Sequence, residues 1–302
     1  MADKSKIEWT DATWNPIRGC SRLSPGCGGA NHQGGCYAEK IAARFSEPGM
    51  AFHGFAERTK HGGRWTGKMA LVASALDQPL RWKRPRRIFV NSMSDLFHEN
   101  LPDEAIDQVF AVMALAPQHT FQVLTKRADR MRRYFDFGGD WQRRVSKRAS
   151  GALVQAFLPN VWLGVSVEDQ ERADDRVPHL LATPAAKRFL SCEPLLGPVD
   201  LRHVASTDDG YINALSSSIG PNLDLVIVGG ESGPRSRPFD IQWARDIVAQ
   251  CKPADVACFV KQLGARPIGK AAKPLSLKSR KGGDMSEWPT DLRVREMPHV
   301  IT

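Results

Sequence analysis

Short apolar runs that end in polar residues recur along the chain. They are "RRIFVNSMSD" (Arg86–Asp95), "TFQVLTKR" (Thr120–Arg127), "VWLGVSVED" (Val161–Asp169), "KRFLSCEPL" (Lys187–Leu195), "LDLVIVGGESG" (Leu223–Gly233) and "VACFVKQLG" (Val256–Gly264), with "GKMALVAS" (Gly67–Ser74) the weakest. Val, Ile, Leu and Phe dominate them, the composition of strands buried on both faces of a parallel sheet. Helical patterns lie between several. Ile106, Val109, Phe110 and Met113 fall at helical spacing after Asp103 and Glu104, and "DIQWARDIVAQCK" repeats the pattern with Asp240 placed to cap it. Strands alternating with helices predict βαβ units. A first strand at "TWNPI" brings the count to about eight, which predicts an α/β fold of (β/α)8 TIM-barrel type, complete or partial and decorated. The barrel is expected over residues 1–268 and a basic extension over 269–302. Glu47–Trp65 and Ala205–Pro221 are irregular and predict loops.

Polar residues gather at the downstream ends of the strands. These are Asn91, Ser94 and Asp95; Thr125, Lys126 and Arg127; Ser166 and Glu168; Cys192 and Glu193; Glu231 and Ser232; Lys261 and Gln262. Singly, each is also explained as a cap of the following helix. Together, on a barrel, they converge on the carboxyl-end face and predict one site there.

Three of the six cysteines, Cys20, Cys27 and Cys36, share one Gly-rich loop after the first strand. No run is apolar enough to span a membrane, and the N-terminus has no secretory h-region, so a cytoplasmic location is expected. In a reducing compartment such clustering points to metal or redox chemistry rather than disulfides. Two options stay open. Three thiolates can hold a [4Fe–4S] cluster with one iron left for a small ligand, as in radical S-adenosylmethionine enzymes. Their usual spacing is C-x3-C-x2-C, whereas here it is C-x6-C-x8-C. With His32 the loop also reads C-x6-C-x4-H-x3-C, a four-ligand set for structural zinc.

Charge adds a partner class. The net charge is +9, concentrated in Arg81–Arg87, Lys126–Arg148 and Lys261–Lys281. Such blocks neutralise phosphates and suggest nucleic acid, or else form a solvated basic surface. Trp82 inside "RWKRPRR" is placed either to stack on a base or to pack.

The segments "IEWTDATWNPIRGCSRLSPGC…CYAEK", "IFVNSMSDLFH", "FQVLTKR", "NVWLGVSVEDQ", "RFLSCEPLLGPVDL", "VIVGGESGPRSRPFD" and "FVKQLG" together resemble the phage gene-product 37/68 family, three-cysteine proteins of largely undefined function. The resemblance implies a radical-SAM-like barrel with an iron–sulfur cluster. Relatives space the motif C-x6-C-x2-C before Tyr-Ala; this chain keeps Tyr37 and Ala38 but inserts six residues between Cys27 and Cys36.

These observations combine into one expectation. Cys20, Cys27 and Cys36 bind a [4Fe–4S] cluster that cleaves S-adenosylmethionine to a 5′-deoxyadenosyl radical, acting on an anionic substrate, DNA or RNA, in repair or modification. Tyr37, Asn91, Ser94, Asp95, Lys126, Ser166, Glu168, Glu193, Glu231, Ser232 and Gln262 are the candidate cofactor-binding residues. Cys192 is a candidate hydrogen-atom donor or a small core residue, and Cys251 and Cys258 read as core. A flavodoxin- or ferredoxin-type donor is the expected redox partner. The alternative is a non-catalytic zinc protein that binds nucleic acid through Cys20, Cys27, His32 and Cys36.

Overall fold

Seven strands form the main sheet of the computed structural model, which describes residues 5–29, 34–136, 140–151, 154, 156–206, 210–216 and 220–298. They are β1 (Ala12–Trp14), β2 (Arg87–Val90), β3 (Thr120–Thr125), β4 (Val161–Ser166), β5 (Lys187–Cys192), β6 (Leu225–Gly229) and β7 (Ala257–Gln262). Their order in the sheet is their order in the chain. A doubly wound sheet reverses direction at a switch point; this one never does. The pairs β1–β2, β2–β3, β5–β6 and β6–β7 are parallel, with Trp14 opposite Val90, Val90 opposite Val123, Val228 opposite Cys192 and Val226 opposite Cys258. Sequential parallel strands with buried apolar residues define an α/β fold of partial barrel type.

The eighth strand expected at Gly67–Ser74 is not part of this sheet. Only Ala70–Leu71 is extended there, and it pairs antiparallel with Ile17–Arg18. Both of its residues are half-buried, so it lacks the two covered faces that a barrel strand requires.

The chain divides into two compact units: Met1–Leu23 with Cys36–Gly164 and Thr183–Lys187, and Ser24–Gly35 with Val165–Ala182 and Arg188–Thr302. In the first lie α1 (Tyr37–Arg44), α2 (Asp103–Ala114), α3 (Ala128–Asp136) and α4 (Asp140–Arg148). Phe97, Phe110, Tyr134, Phe135 and Trp141 form a contiguous aromatic core around the last three helices. Glu47–Trp65, expected as a loop, contains the hairpin Ala56–Thr59/Gly62–Trp65. Its strands are mostly exposed, with Ala56 and Trp65 facing α1 residues, so no alternating apolar pattern announces them.

The second unit holds α5 (Gln170–Ala182) and α6 (Ile241–Cys251). The Asp240 side chain accepts from Gln242 N at 2.9 Å, the expected cap. Val204–Ala205 pairs antiparallel with Tyr211–Ile212, so the second expected loop, part of which lies outside the described residues, holds a short ladder. Beyond Gly269 the chain returns to β7: Phe259 bridges Arg295, Val260 N donates to Val294 O, and Trp288 and Leu292 are buried. Among the described residues no helix is long and apolar enough to cross a membrane.

Candidate functional site

In the first unit the carboxyl end of β2 grips the polypeptide on both flanks of the cysteine loop. Asn91 Oδ1 accepts Ile17 N at 3.2 Å, and Asn91 N donates to Trp14 O at 2.7 Å. Asn91 sits at φ 58°, a left-handed position that asparagine tolerates. Ser94 Oγ donates to Ile17 O at 3.0 Å, and Ser94 bridges Gly19, the residue before Cys20. On the far flank the Tyr37 hydroxyl donates to the carbonyl of Ser92.

Asp95 is the hub of a buried network. It accepts from Thr125 Oγ1 at 2.7 Å, Lys126 N at 3.2 Å, Phe97 N at 3.0 Å and Arg127 Nη1 at 3.0 Å. Arg127 also donates through Nε to Glu99 at 2.5 Å and through Nη2 to Ser21 Oγ at 2.8 Å. Burial works against the guanidinium charge, but Asp95, Glu99 and the nearby Cys20 sulfur outweigh it and raise its pKa. Burial would raise Glu99; the Arg127 hydrogen bond, a backbone bond, the Arg127 charge and, once His98 is protonated in acid, the His98 charge instead hold it at about 2. His98 Nδ1 accepts Asn100 N at 3.1 Å, so Nε2 carries the proton and donates to Ser21 Oγ at 2.8 Å. Burial, then the Arg127 charge, lowers the His98 pKa and keeps it neutral. Ser21 Oγ therefore accepts from two donors, and its own proton is directed to Glu99 Oε1 at 3.4 Å.

Cys20 and Cys36 are half-buried and pack against the same apolar cluster of Ala38, Ala42, Ala56 and Trp65. Cys36 is the N-cap residue of α1, where the helix dipole favours negative charge. Behind them, buried Glu39 takes Arg22 Nε at 3.1 and 3.0 Å and Trp65 N at 3.0 Å.

In the second unit two carboxylates clamp the middle of the loop. Ser24 Oγ donates to Glu168 Oε1 at 2.5 Å, and Arg176 Nη1 donates to Glu168 Oε2 at 2.7 Å and to Ser166 O at 2.8 Å. Glu231 accepts Gly35 N at 2.8 Å and Arg237 N, Nε and Nη2 at 3.0 Å each, while Arg237 Nη1 reaches Pro25 O at 2.7 Å. Burial would raise the Glu231 pKa; the Arg237 and Gly35 hydrogen bonds lower it. Glycine is required twice here. A Cβ on Gly26 would lie 2.2 Å from Glu168 Oε1, and one on Gly34, at φ 63°, 2.3 Å from Glu231. Cys27, half-buried, ends the short helical turn Pro25–Cys27 between these clamps.

The remaining sequence candidates of this unit divide. Glu193 pairs with Lys261 Nζ at 2.6 Å, and Gln262 Nε2 donates to Gly230 O at 2.9 Å. Ser232 is exposed. Cys192 is fully buried, and burial, with Cys258 and Glu168 nearby, pushes its thiol far up. Cys251 and Cys258 are buried in the core.

Among the described residues no group of three or more His, Cys, Asp and Glu side chains is arranged to hold a metal ion. His32, the fourth ligand of the zinc alternative, lies outside the described residues. Ser21, Ser24, His98, Arg176 and Arg237 were not singled out from sequence. Arg176 carried a signal, a charge on the apolar face of Ala173, Val177 and Leu180. The others carried none.

The basic blocks are not equivalent. Within Lys126–Arg148, Arg127 pairs with Asp95 and Glu99, Arg130 with Asp103, Arg132 with Asp136, Arg133 with Asp129, Arg143 with Asp140, and Arg144 and Arg148 with Asp107. In Arg81–Arg87, Arg81 pairs with Asp77 and Arg87 with Asp11. Trp82 is buried, with the Arg86 guanidinium 4.8 Å over its ring, so it packs rather than presenting a face for a base.

The sheet and its strand-end residues define an α/β protein of partial barrel type with a clamped cysteine loop. The chain belongs to the family described as "Protein of unknown function (DUF5131)", whose model matches residues 4–287. This match corrects the resemblance to the gene-product 37/68 family, which rests on short motifs alone. No curated protein and no solved structure matches the chain.

Proposed function

We propose that this protein is an iron–sulfur, radical-SAM-like enzyme in which Cys20, Cys27 and Cys36 hold a [4Fe–4S] cluster, with S-adenosylmethionine as cosubstrate and a nucleic acid as substrate. One observation carries it: Cys20 and Cys36, fifteen residues of loop apart, seat on one apolar cluster with their sulfurs outside any disulfide. Thiolate is the ligand iron–sulfur clusters take. The Arg127 cation beside Cys20 and the α1 N-terminus at Cys36 both favour that ionised form.

Bound there, the cluster would supply the single electron that sulfonium cleavage consumes, drawn from a flavodoxin- or ferredoxin-type donor in the cytoplasm. The chain's own residues hold the loop. Asn91, Ser94 and Tyr37 fix its flanks, and Glu168 and Glu231 fix its middle. Of the remaining candidates, Lys126, Glu193, Ser232 and Gln262 are strand-end groups for cosubstrate or substrate.

Anaerobic purification followed by iron and acid-labile sulfide analysis tests the proposal, with reductant and S-adenosylmethionine then added and 5′-deoxyadenosine measured. Brown protein with iron and sulfide, lost in Cys20→Ala, Cys27→Ala and Cys36→Ala, supports it. Colourless protein with one zinc and no iron after reconstitution overturns it in favour of a zinc-containing nucleic-acid binder.

A further inference from the structure

We propose that the segment Arg266–Lys281 of the second unit is a docking surface for the phosphate backbone of a nucleic-acid duplex. The inference deepens the nucleic-acid reading above and takes from it only the identity of the polyanion.

The segment carries Arg266, Lys270, Lys273, Lys278, Arg280 and Lys281, with no Asp or Glu. All six are exposed. Where Arg residues of the Lys126–Arg148 block are matched by carboxylates, Arg266, Lys270, Lys273, Lys278 and Arg280 make no ion pair among the described residues. Field from this segment therefore reaches solvent, whereas field from the helical block is cancelled within a few ångströms.

The backbone that carries these charges is held in place. Pro267–Ile268 pairs with Phe239–Asp240, Leu275 N donates to Pro267 O at 2.9 Å, and Gly269 N to Lys273 O at 2.8 Å. Glu287 Oε2 accepts the backbone amides of Lys278 and Ser279 at 2.7 and 3.3 Å. Gly282 O takes Leu263 N at 2.9 Å and Trp288 Nε1 at 3.0 Å. A charged loop ordered before binding loses less entropy when it binds.

The chemistry of the patch selects the partner. None of the large exposed apolar side chains falls between residues 266 and 281. A protein partner requires an apolar or aromatic anchor at the centre of the interface, and a single strand requires an exposed aromatic to stack its bases. A duplex backbone requires neither. Cations at intervals along an ordered chain suffice, and they confer no sequence preference.

Fluorescence anisotropy of a fluorescein-labelled, mixed-sequence DNA duplex, and of the same sequence as RNA duplex, titrated with the full-length protein across a salt series, tests the proposal. Lys270→Gln/Lys273→Gln/Lys278→Gln/Arg280→Gln is expected to weaken binding at least about tenfold and to cut the slope of log K against log salt by about 3 to 4. Arg133→Gln/Arg143→Gln, in the compensated block, is expected to stay within about twofold. Should the quadruple variant not fold, the single Lys273→Gln and Lys278→Gln variants each lower the slope by about 1. Unchanged affinity and slope in the folded quadruple variant overturn the surface and leave nucleic acid bound elsewhere. Native protein that binds neither duplex but binds flavodoxin through these residues overturns the surface and the nucleic-acid reading together.

Discussion

Ser24 and Glu168, 144 residues apart in sequence, meet at 2.5 Å within the second unit. Glu168 gives its other oxygen to Arg176, so one fully buried carboxylate both neutralises a buried guanidinium and fixes the cysteine loop. Removing half of such a pair strands a buried charge, which costs about 3–5 kcal/mol. Glu168→Ala should therefore destabilise by that amount in urea unfolding. Glu168→Gln/Arg176→Met should recover part of the loss while leaving Ser24 without its charged acceptor.

Gly26 faces the same carboxylate. Gly26→Ala places a methyl where Glu168 Oε1 now lies, at 2.2 Å. Overpacking of this kind costs about 1–3 kcal/mol. The variant should lower the thermal midpoint, and its iron content after reconstitution should fall even though all three loop cysteines remain. Native iron content at the lowered midpoint would separate the loop clamp from the cofactor.

The Glu99 carboxylate titrates at about 2 in the folded protein against an ordinary 4.5. Its folded pKa is depressed, so its contribution to stability is present above pH about 4.5 and is lost as pH falls toward 2. The stability gap between native protein and Glu99→Gln should be widest near neutrality and close across that window. Because Glu99 is more than half exposed, the gap should also shrink with added salt. Denaturant midpoints at pH 7, 4 and 2.5, each at low and high salt, measure both effects.

Trp288 lies in the segment beyond Gly269, 2 % exposed, and donates to Gly282 O. Trp288→Ala should cost about 3–5 kcal/mol, as for a buried core aromatic. Limited proteolysis should then cut within residues 266–283 before it cuts elsewhere. An extension that merely trailed from the second unit would lose nothing in stability.

The pattern of apolar and polar positions was enough to locate the strands β2 to β7, the helix at Asp103–Ala114 and the Asp240 cap. Each of these is set by neighbours within a few residues, so its signal lies in one short window. The same window also made Gly67–Ser74 resemble a strand, because it cannot tell a buried partner from an antiparallel pairing with Ile17–Arg18. The hairpin at Ala56–Trp65 gives no such signal, because its exposed residues carry no period.

Strand-end position alone singled out Asn91, Asp95, Glu168 and Glu231, but their partners were visible only after folding. Ser24, Gly35, Arg127 and Arg237 become those partners through chain reversals that no local pattern encodes. Charge shows the same division. Sequence determined how many cations each basic block holds, and tertiary structure decided which of them keep a field, since Asp95, Asp103 and Asp107 reach the helical block from elsewhere in the chain. An ion pair depends on distance in space, and sequence specifies only distance along the chain.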